Sequence, residues 1–342
     1  MLEWRIVTEI TPTLRRRSDG VLSSLASGFD RVAARPYLIL PPLVLDLFLW
    51  LGPRLNLAVI FNALAAALSA PAAGPPELAQ QVAMAKGMLG TLGSQFNLFS
   101  ALSTFPIAVP SLMATTMPAG SPLGAPELIL LSDPMTILLT WLGLTVVGLG
   151  MATLYHVGLS RAASPASPGG RDPSLWLRVL AMAGLTYLGL GVIVIASLLA
   201  ASVVTLVTPF LGSGVAFLGF TFLFWLAVYL IFTPHGLVRY RLGLLRAMRE
   251  SAGIVRGSFF PTVGFLTTVV LVSWLTNLVW GLPPAESWFG ALAALGHAFI
   301  SAMVLVASYI FYVGRREAML AAGQPAPAAE EAAMDRRDAR GA

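Results

Sequence analysis

Six stretches of this chain approach or exceed the length of apolar sequence needed to cross a lipid bilayer, and they constrain the fold more than any motif does. About 20 residues of helix cover a hydrocarbon layer of about 30 Å, because each residue rises about 1.5 Å. The stretches are Pro36–Gly52, Pro134–Val157, Leu175–Pro209, Val215–Leu237, Phe259–Leu282 and Trp288–Val313. Backbone inside lipid must satisfy its own hydrogen bonds, so each is read as a helix. The first is short, and its end at Gly52-Pro53 is open because apolar sequence resumes at Leu55. The third is too long to stand upright, so it must tilt, bend near Ser202 or finish early. The expected fold class is an all-α, polytopic transmembrane bundle of about six spans with amphipathic interfacial helices.

Composition agrees. Hydrophobic residues make up 57% of the chain and charged residues 11%, with a mean hydropathy of +0.80. Soluble domains carry about a quarter charged residues, so too little polar surface exists here to cover a water-soluble globule. Cysteine is absent, which excludes disulfides and thiolate chemistry. With the N-terminus placed in the cytoplasm, all of the 21 basic residues except Arg54 and Lys86 fall on the cytoplasmic side. Adding or removing one span would scatter the later arginines. The expected setting is a bacterial cytoplasmic membrane with both termini inside; the wealth of Arg, Ala, Gly and Pro fits a GC-rich bacterial genome. Residues 1–35 then form a cytoplasmic amphipathic segment and 36–314 the membrane domain. Within it, 53–133 lie outside and 236–258 form a basic cytoplasmic helix. Residues 315–342, poor in large apolar side chains, form a disordered tail.

Two segments have the pattern of helices lying along the cytoplasmic face. Residues 18–35 open on a Ser18–Asp19 cap and space Val21, Leu22, Leu25, Phe29 and Val32 helically. The basic segment sets Leu237, Leu244, Met248 and Val255 on one face and Arg239, Arg246, Arg249, Arg256 and Glu250 broadly opposite. Those four arginines are the expected contacts to anionic lipid phosphates, and Arg241, near the apolar stripe, must snorkel. The lead before the first span is too long for a signal-peptide n-region. Proline also follows Ala70 in "LSAPAAG", so the first span is read as uncleaved. In the outside region, Glu77 to Thr104 has helical character. Two courses stay open for it: lying on the outer surface as a cap, or entering the membrane at "NLFSALSTFPIAVPSLM", whose prolines oppose a spanning helix.

Polar groups at membrane depth are functional candidates by default. Asp46 and His297 reach similar depth from opposite sides. His297 lies beside a stripe of small residues, Gly290, Ala294, Ala298 and Ala302, that permits close packing. The two could pair as a proton-responsive or ligand-binding site; the plainer reading is a buried structural contact. Thr267, Ser273, Thr276 and Asn277 suit helix–helix or backbone hydrogen bonds. His156 and His235 have no third partner for a metal, so no metal or cofactor is expected. "LGSG" at 211–214 places Ser213 in a turn between spans and lacks the glycine that a nucleophile elbow requires. No catalytic residue, and no enzyme, is expected.

The run "FTPHGLVRYRLGLLRAMRESAGIVRGSFFPT", a span ending in Pro-His followed by a basic helix with Ala247, Ser251 and Gly257, resembles uncharacterised bacterial polytopic proteins. These are similar to the membrane domain attached to some glycerophosphoryl diester phosphodiesterases and to YciC-like inner-membrane proteins. The likeness covers the C-terminal part of the chain. It implies an inner-membrane helical bundle, not phosphodiesterase activity, and it carries over no functional residue. The resulting expectation is a non-enzymatic accessory or scaffold component; the alternative is a small transporter or permease subunit using Asp46 and His297. The expected partners are the bilayer with its anionic headgroups and a second membrane protein or second copy of the chain. Nucleic acid is not among them.

Overall fold

The computed structural model describes residues 20–68, 76–164 and 172–322, and they are overwhelmingly helical. The Ser18–Asp19 cap, the arginines at 5, 15–17 and 171, and 323–342 of the expected tail lie outside the described residues; 315–322, assigned to that tail by the sequence, instead continue the last long helix. The chain begins with α1 (Val21–Ala33), a 3₁₀ turn (Pro36–Ile39) and α2 (Leu40–Leu51). Next come β1 (Arg54–Asn56), α3 (Ala58–Ala67), α4 (Pro76–Gln95), α5 (Leu112–Thr116) and β2 (Leu128–Leu130). The second half contains α6 (Pro134–Ala163), α7 (Ser174–Thr205), α8 (Pro209–Leu230), α9 (Thr233–Tyr240), α10 (Leu244–Gly257), α11 (Phe259–Trp280) and α12 (Phe289–Ala322).

Among the described residues, five helical stretches are long and apolar enough to cross a membrane: α6, α7, α8 continued through α9, α11 and α12. The sixth candidate is a bent pair, α1 with Pro36–Leu51, folded by 100°. Only its second arm runs along the bundle. The 3₁₀ turn and α2 together rise about 26 Å. Leu38 lies beside Gly158 near the end of α6, and Trp50 lies against Gly290 at the start of α12. The other arm, α1, packs across α12 and α11. The protein is thus a multi-pass, all-α membrane protein.

α12 is the axis of the fold. Its 34 residues rise about 51 Å, well beyond the hydrocarbon layer, and α1, α2, α6, α10 and α11 all pack on it. Gly290, Ala294, Ala298 and Ala302 are buried along it, so backbones approach closely. The face that α1 buries overlaps only in part with its apolar spacing. Ser24, Gly28 and Val32 are buried and Val21 and Leu25 half-buried against the bundle, whereas Leu22 and Phe29 are exposed. A Cβ on Gly28 would lie 2.7 Å from the Met303 carbonyl and 2.9 Å from the Ala307 Cβ, so only glycine allows this crossing.

The bundle has two distinguishable ends. β1 and β2 pair in parallel, Arg54 opposite Leu128, at the end that also holds Gly120, close to Glu286. At the other end Arg31, Arg35 and Arg239 converge on the last turn of α6, and Arg178 reaches Arg241. Of the basic side chains described, Arg54 and Lys86 belong to the first end, and the others gather at the second.

Three sequence expectations change. α7 stops at Thr205, and Thr208 caps a helix that starts at Pro209, its hydroxyl accepting from the Leu211 N–H at 3.2 Å. Ser213 therefore sits inside α8 rather than in a turn, and its hydroxyl donates to the Pro209 carbonyl. The basic segment is two helices, not one. Arg241 is left-handed at φ 55° and Gly243 opens α10, so a single wheel through 237–255 does not apply.

The third change concerns the region between β1 and β2. α3 and α4 form a hairpin at the strand end, but residues 97–116 run between α2, α6 and α12. The Leu102 carbonyl lies where a Cβ on Gly148 would approach to 2.6 Å, and the Ala108 carbonyl meets His156 at 3.2 Å. Those positions are about 21 Å and 33 Å along α6 from Pro134. Leu98, Ile107, Val109, Leu112 and Met113 are buried there. Irregular backbone at such depth is tolerated where protein surrounds it. Asn97 and Asn56 fix the entry: Asn97 Oδ1 accepts from the Leu55 N–H at 3.2 Å, and Asn56 Nδ2 donates to the Gly93 carbonyl at 2.9 Å.

Candidate functional site

Asp46 sits at the seventh residue of α2 and has no exposed surface. A bare carboxylate in such surroundings is costly, so its oxygens must be engaged. Oδ1 accepts from the Ser111 hydroxyl at 2.6 Å and from the Met113 N–H at 3.0 Å. Both donors belong to the inserted loop, and Ser111 also caps α5 by accepting from the Ala114 N–H at 3.0 Å. Oδ2 faces His297 Nδ1 at 3.5 Å. That is ion-pair distance but too long for a well-formed hydrogen bond, and neither atom has a hydrogen-bond partner among the described residues. On its other side, His297 Nε2 lies 3.3 Å from the Ser301 hydroxyl. The structure therefore brings together the two polar residues that the sequence places at equal depth. It adds Ser111 and Met113, which nothing but the Ser111 N-cap position signalled.

A second polar cluster lies nearer the arginine end. His156 Nε2 is 3.2 Å from the Ala108 carbonyl, and Nδ1 is 3.1 Å from the Tyr309 hydroxyl. A carbonyl only accepts, so Nε2 carries the proton and Nδ1 accepts from the tyrosine. His235 Nε2 is 2.8 Å from Ser308 Oγ, whose proton goes to the Leu305 carbonyl at 2.7 Å. His235 Nε2 is therefore the donor there. The His235 ring also lies 4.4 Å, centroid to centroid, from that of Tyr309. Two histidines from α6 and α9 thus clasp one tyrosine of α12, an arrangement with no third metal-ligating side chain; among the described residues no group of three such side chains occurs.

The arginines divide into two kinds. Arg246, Arg249 and Arg256 are exposed on α10, as lipid-phosphate contacts must be. Arg239 is not: it is 3% exposed, and its guanidinium donates to the Ser164 carbonyl at 3.0 Å, with the Ser160 carbonyl at 3.5 Å. Its expected role at the lipid surface is corrected accordingly. The last carbonyls of α6 lack intrahelical partners and carry the negative end of the helix dipole. Arg31 and Arg35 complete the cap, each donating to the Ala162 carbonyl at 3.0 Å. On α10, Glu250 Oε1 accepts from the Tyr312 hydroxyl and from Arg316 Nε at 2.7 Å, and the Arg316 guanidinium lies 3.9 Å over the Tyr240 ring.

At the mouth of α7, Asp172 has its carboxyl held below the usual range. The Ser174 hydroxyl is the main cause, and the nearby Arg178 and Arg241 charges add to it. Thr276, one of the hydroxyls noted in the fifth span, donates to its own helix at the Val272 carbonyl.

No family model, curated protein or solved structure matches the chain.

Proposed function

We propose that this protein is a non-enzymatic accessory component of a bacterial cytoplasmic membrane, with both termini in the cytoplasm, and that it works by presenting a helical hairpin to a neighbouring membrane protein. The carrying observation is the contrast between α12 and the α7–α8 pair. α12 is surrounded, whereas α7 and α8 pack mainly on each other and bury few residues beyond their own contact. Leu199 on α7 and Phe217 on α8 point away from the bundle. The buried polar groups support the same reading, because Asp46, Arg239 and Glu250 are each engaged in joining one element to another. The likeness of the basic segment to inner-membrane bundles of the glycerophosphodiesterase-associated and YciC-like kind is in keeping with this setting.

Photocrosslinking amino acids at Leu199 and Phe217 test it. The expected result is one membrane protein captured from both positions in intact cells and not from Met88 on α4. Capture of lipid alone at both positions overturns the accessory reading.

A second reading, a small transporter or permease subunit, is favoured by one observation, the 3.5 Å approach of Asp46 and His297 at membrane depth. Proteoliposomes under an imposed pH gradient, with an entrapped pH-sensitive dye, test it. Proton flux carried by the wild type and lost in Asp46→Asn supports transport, and equal leak from both excludes it.

A further inference from the structure

Between the α7–α8 hairpin and the body of the protein lies a cavity of about 380 Å³, within the range of small-ligand pockets. Met182 and Gly189 of α7, Leu226 of α8, Met248 of α10 and Phe105, at the tip of the inserted loop, contribute to its wall. No lining side chain is charged. The Thr186 hydroxyl donates back to the Met182 carbonyl at 2.8 Å and asks nothing of an occupant, whereas the buried Thr233 hydroxyl, also in the wall, has no hydrogen-bond partner among the described residues. The cavity runs from α10 to mid-height on α7, because Gly189 is about 22 Å along that helix from Ser174.

Its wall is oily, but its rim is cationic. Arg178 is one turn before Met182, Arg241 shortly precedes Leu244 and Arg249 follows Met248, whereas Arg246 lies about 160° round α10 from Leu244 and Met248, which line the floor. Arg178 is paired with Asp172 at 3.6 Å. Arg249 is exposed, and among the described residues no carboxylate lies within ion-pair distance of it, or of Arg241. An apolar slot at membrane depth, open beside unpaired guanidinium groups at one end of the bundle, matches one molecule that surrounds a membrane protein on all sides. We infer that the cavity holds one acyl chain of an anionic phospholipid, with the phosphate of that lipid drawn to Arg249. This inference goes beyond the accessory reading and does not depend on it, since the hairpin's outward faces and this inward cavity are different surfaces.

Gly189 supplies the test. A Cβ there would meet nothing within 4 Å, so a large side chain grows into the cavity without displacing protein. The full chain is reconstituted in nanodiscs of phosphatidylcholine containing phosphatidylglycerol with a photoactivatable diazirine on its acyl chain, and adducts are mapped by mass spectrometry. The expected adducts concentrate on Met182, Leu226 and Met248, and unlabelled phosphatidylglycerol competes them away while phosphatidylcholine does not. Gly189→Phe abolishes them and leaves labelling of the outward α7 and α8 faces intact. Arg249→Gln lowers cavity labelling about fivefold, the loss of one arginine's attraction at an anionic surface, and Arg246→Gln, on the far side of α10, leaves it unchanged. Equal labelling of wild type and Gly189→Phe overturns the inference, as does a phosphatidylcholine probe that labels the cavity equally well. If Gly189→Phe does not fold, Arg249→Gln decides, and labelling unchanged in it overturns the inference.

Discussion

Asp46 carries a sharp electrostatic liability in the bundle and is also the point where three parts of the chain meet. A carboxyl group without exposure is tolerated only because two donors of the inserted loop and the His297 ring face it. Removing it leaves those partners buried and unanswered. Asp46→Ala is therefore expected to destabilise the folded protein by about 3 kcal/mol. Asp46→Asn keeps an acceptor for Ser111 and Met113 and is expected to cost less than half as much. Thermal unfolding in mild detergent reads both, and equal losses would mean that the loop contacts contribute little. The residue scale also shows where sequence reading succeeds. Helical rise alone placed Asp46 and His297 at one depth, since depth depends on counting. It could not separate Arg239 from Arg246, because both lie on one helical wheel until the turn at Arg241 redirects the first toward the end of α6.

Among the elements, the inserted loop is the one whose position least follows from its sequence. Its prolines rule out a spanning helix, and its apolar residues suit a surface cap as well as an interior. What decides is Gly148 on a different element, where the Leu102 carbonyl occupies the space a side chain needs. Gly148→Leu is expected to force the loop out and to cost about 3 kcal/mol or less in stability. The chain has no cysteine, so a single cysteine at Val109, buried in the native fold, reports the change. It is expected to resist a membrane-impermeant maleimide in the parent and to react in Gly148→Leu. Helices with long apolar runs were legible because one period sets them. The short parallel pair of β1 with β2 was not, since its three-residue strands are distant in sequence.

For the whole molecule, the segregation of charge to one end of the bundle follows from the fold itself, and the side of the membrane that this end occupies is a separate question. Reporter fusions answer it. Enzymes active only in the periplasm are expected to work near Gly120 and Ala285, and those active only in the cytoplasm near Gly243 and Ser164. The structure groups these sites in the same pairs: Gly120 lies by Glu286, and Ser164 by Arg239. A split within either pair would break the fold as described, whereas a reversal of both would break only the orientation. The span count was legible from hydropathy except at the first crossing, where a 100° bend separates two short arms that a sliding average joins or loses.

One consequence concerns how the polypeptide is made. α2 leaves the ribosome with its acidic side chain long before the histidine facing that side chain, the Gly290 on which Trp50 rests and the Ala285 carbonyl that accepts from the Trp50 indole, which follow 235 residues or more behind their partners. The first crossing therefore has no finished home until the last one is synthesised, so insertion and folding run in different orders. Whatever shelters a half-made α2 during that interval is as much a requirement of this sequence as the bilayer itself.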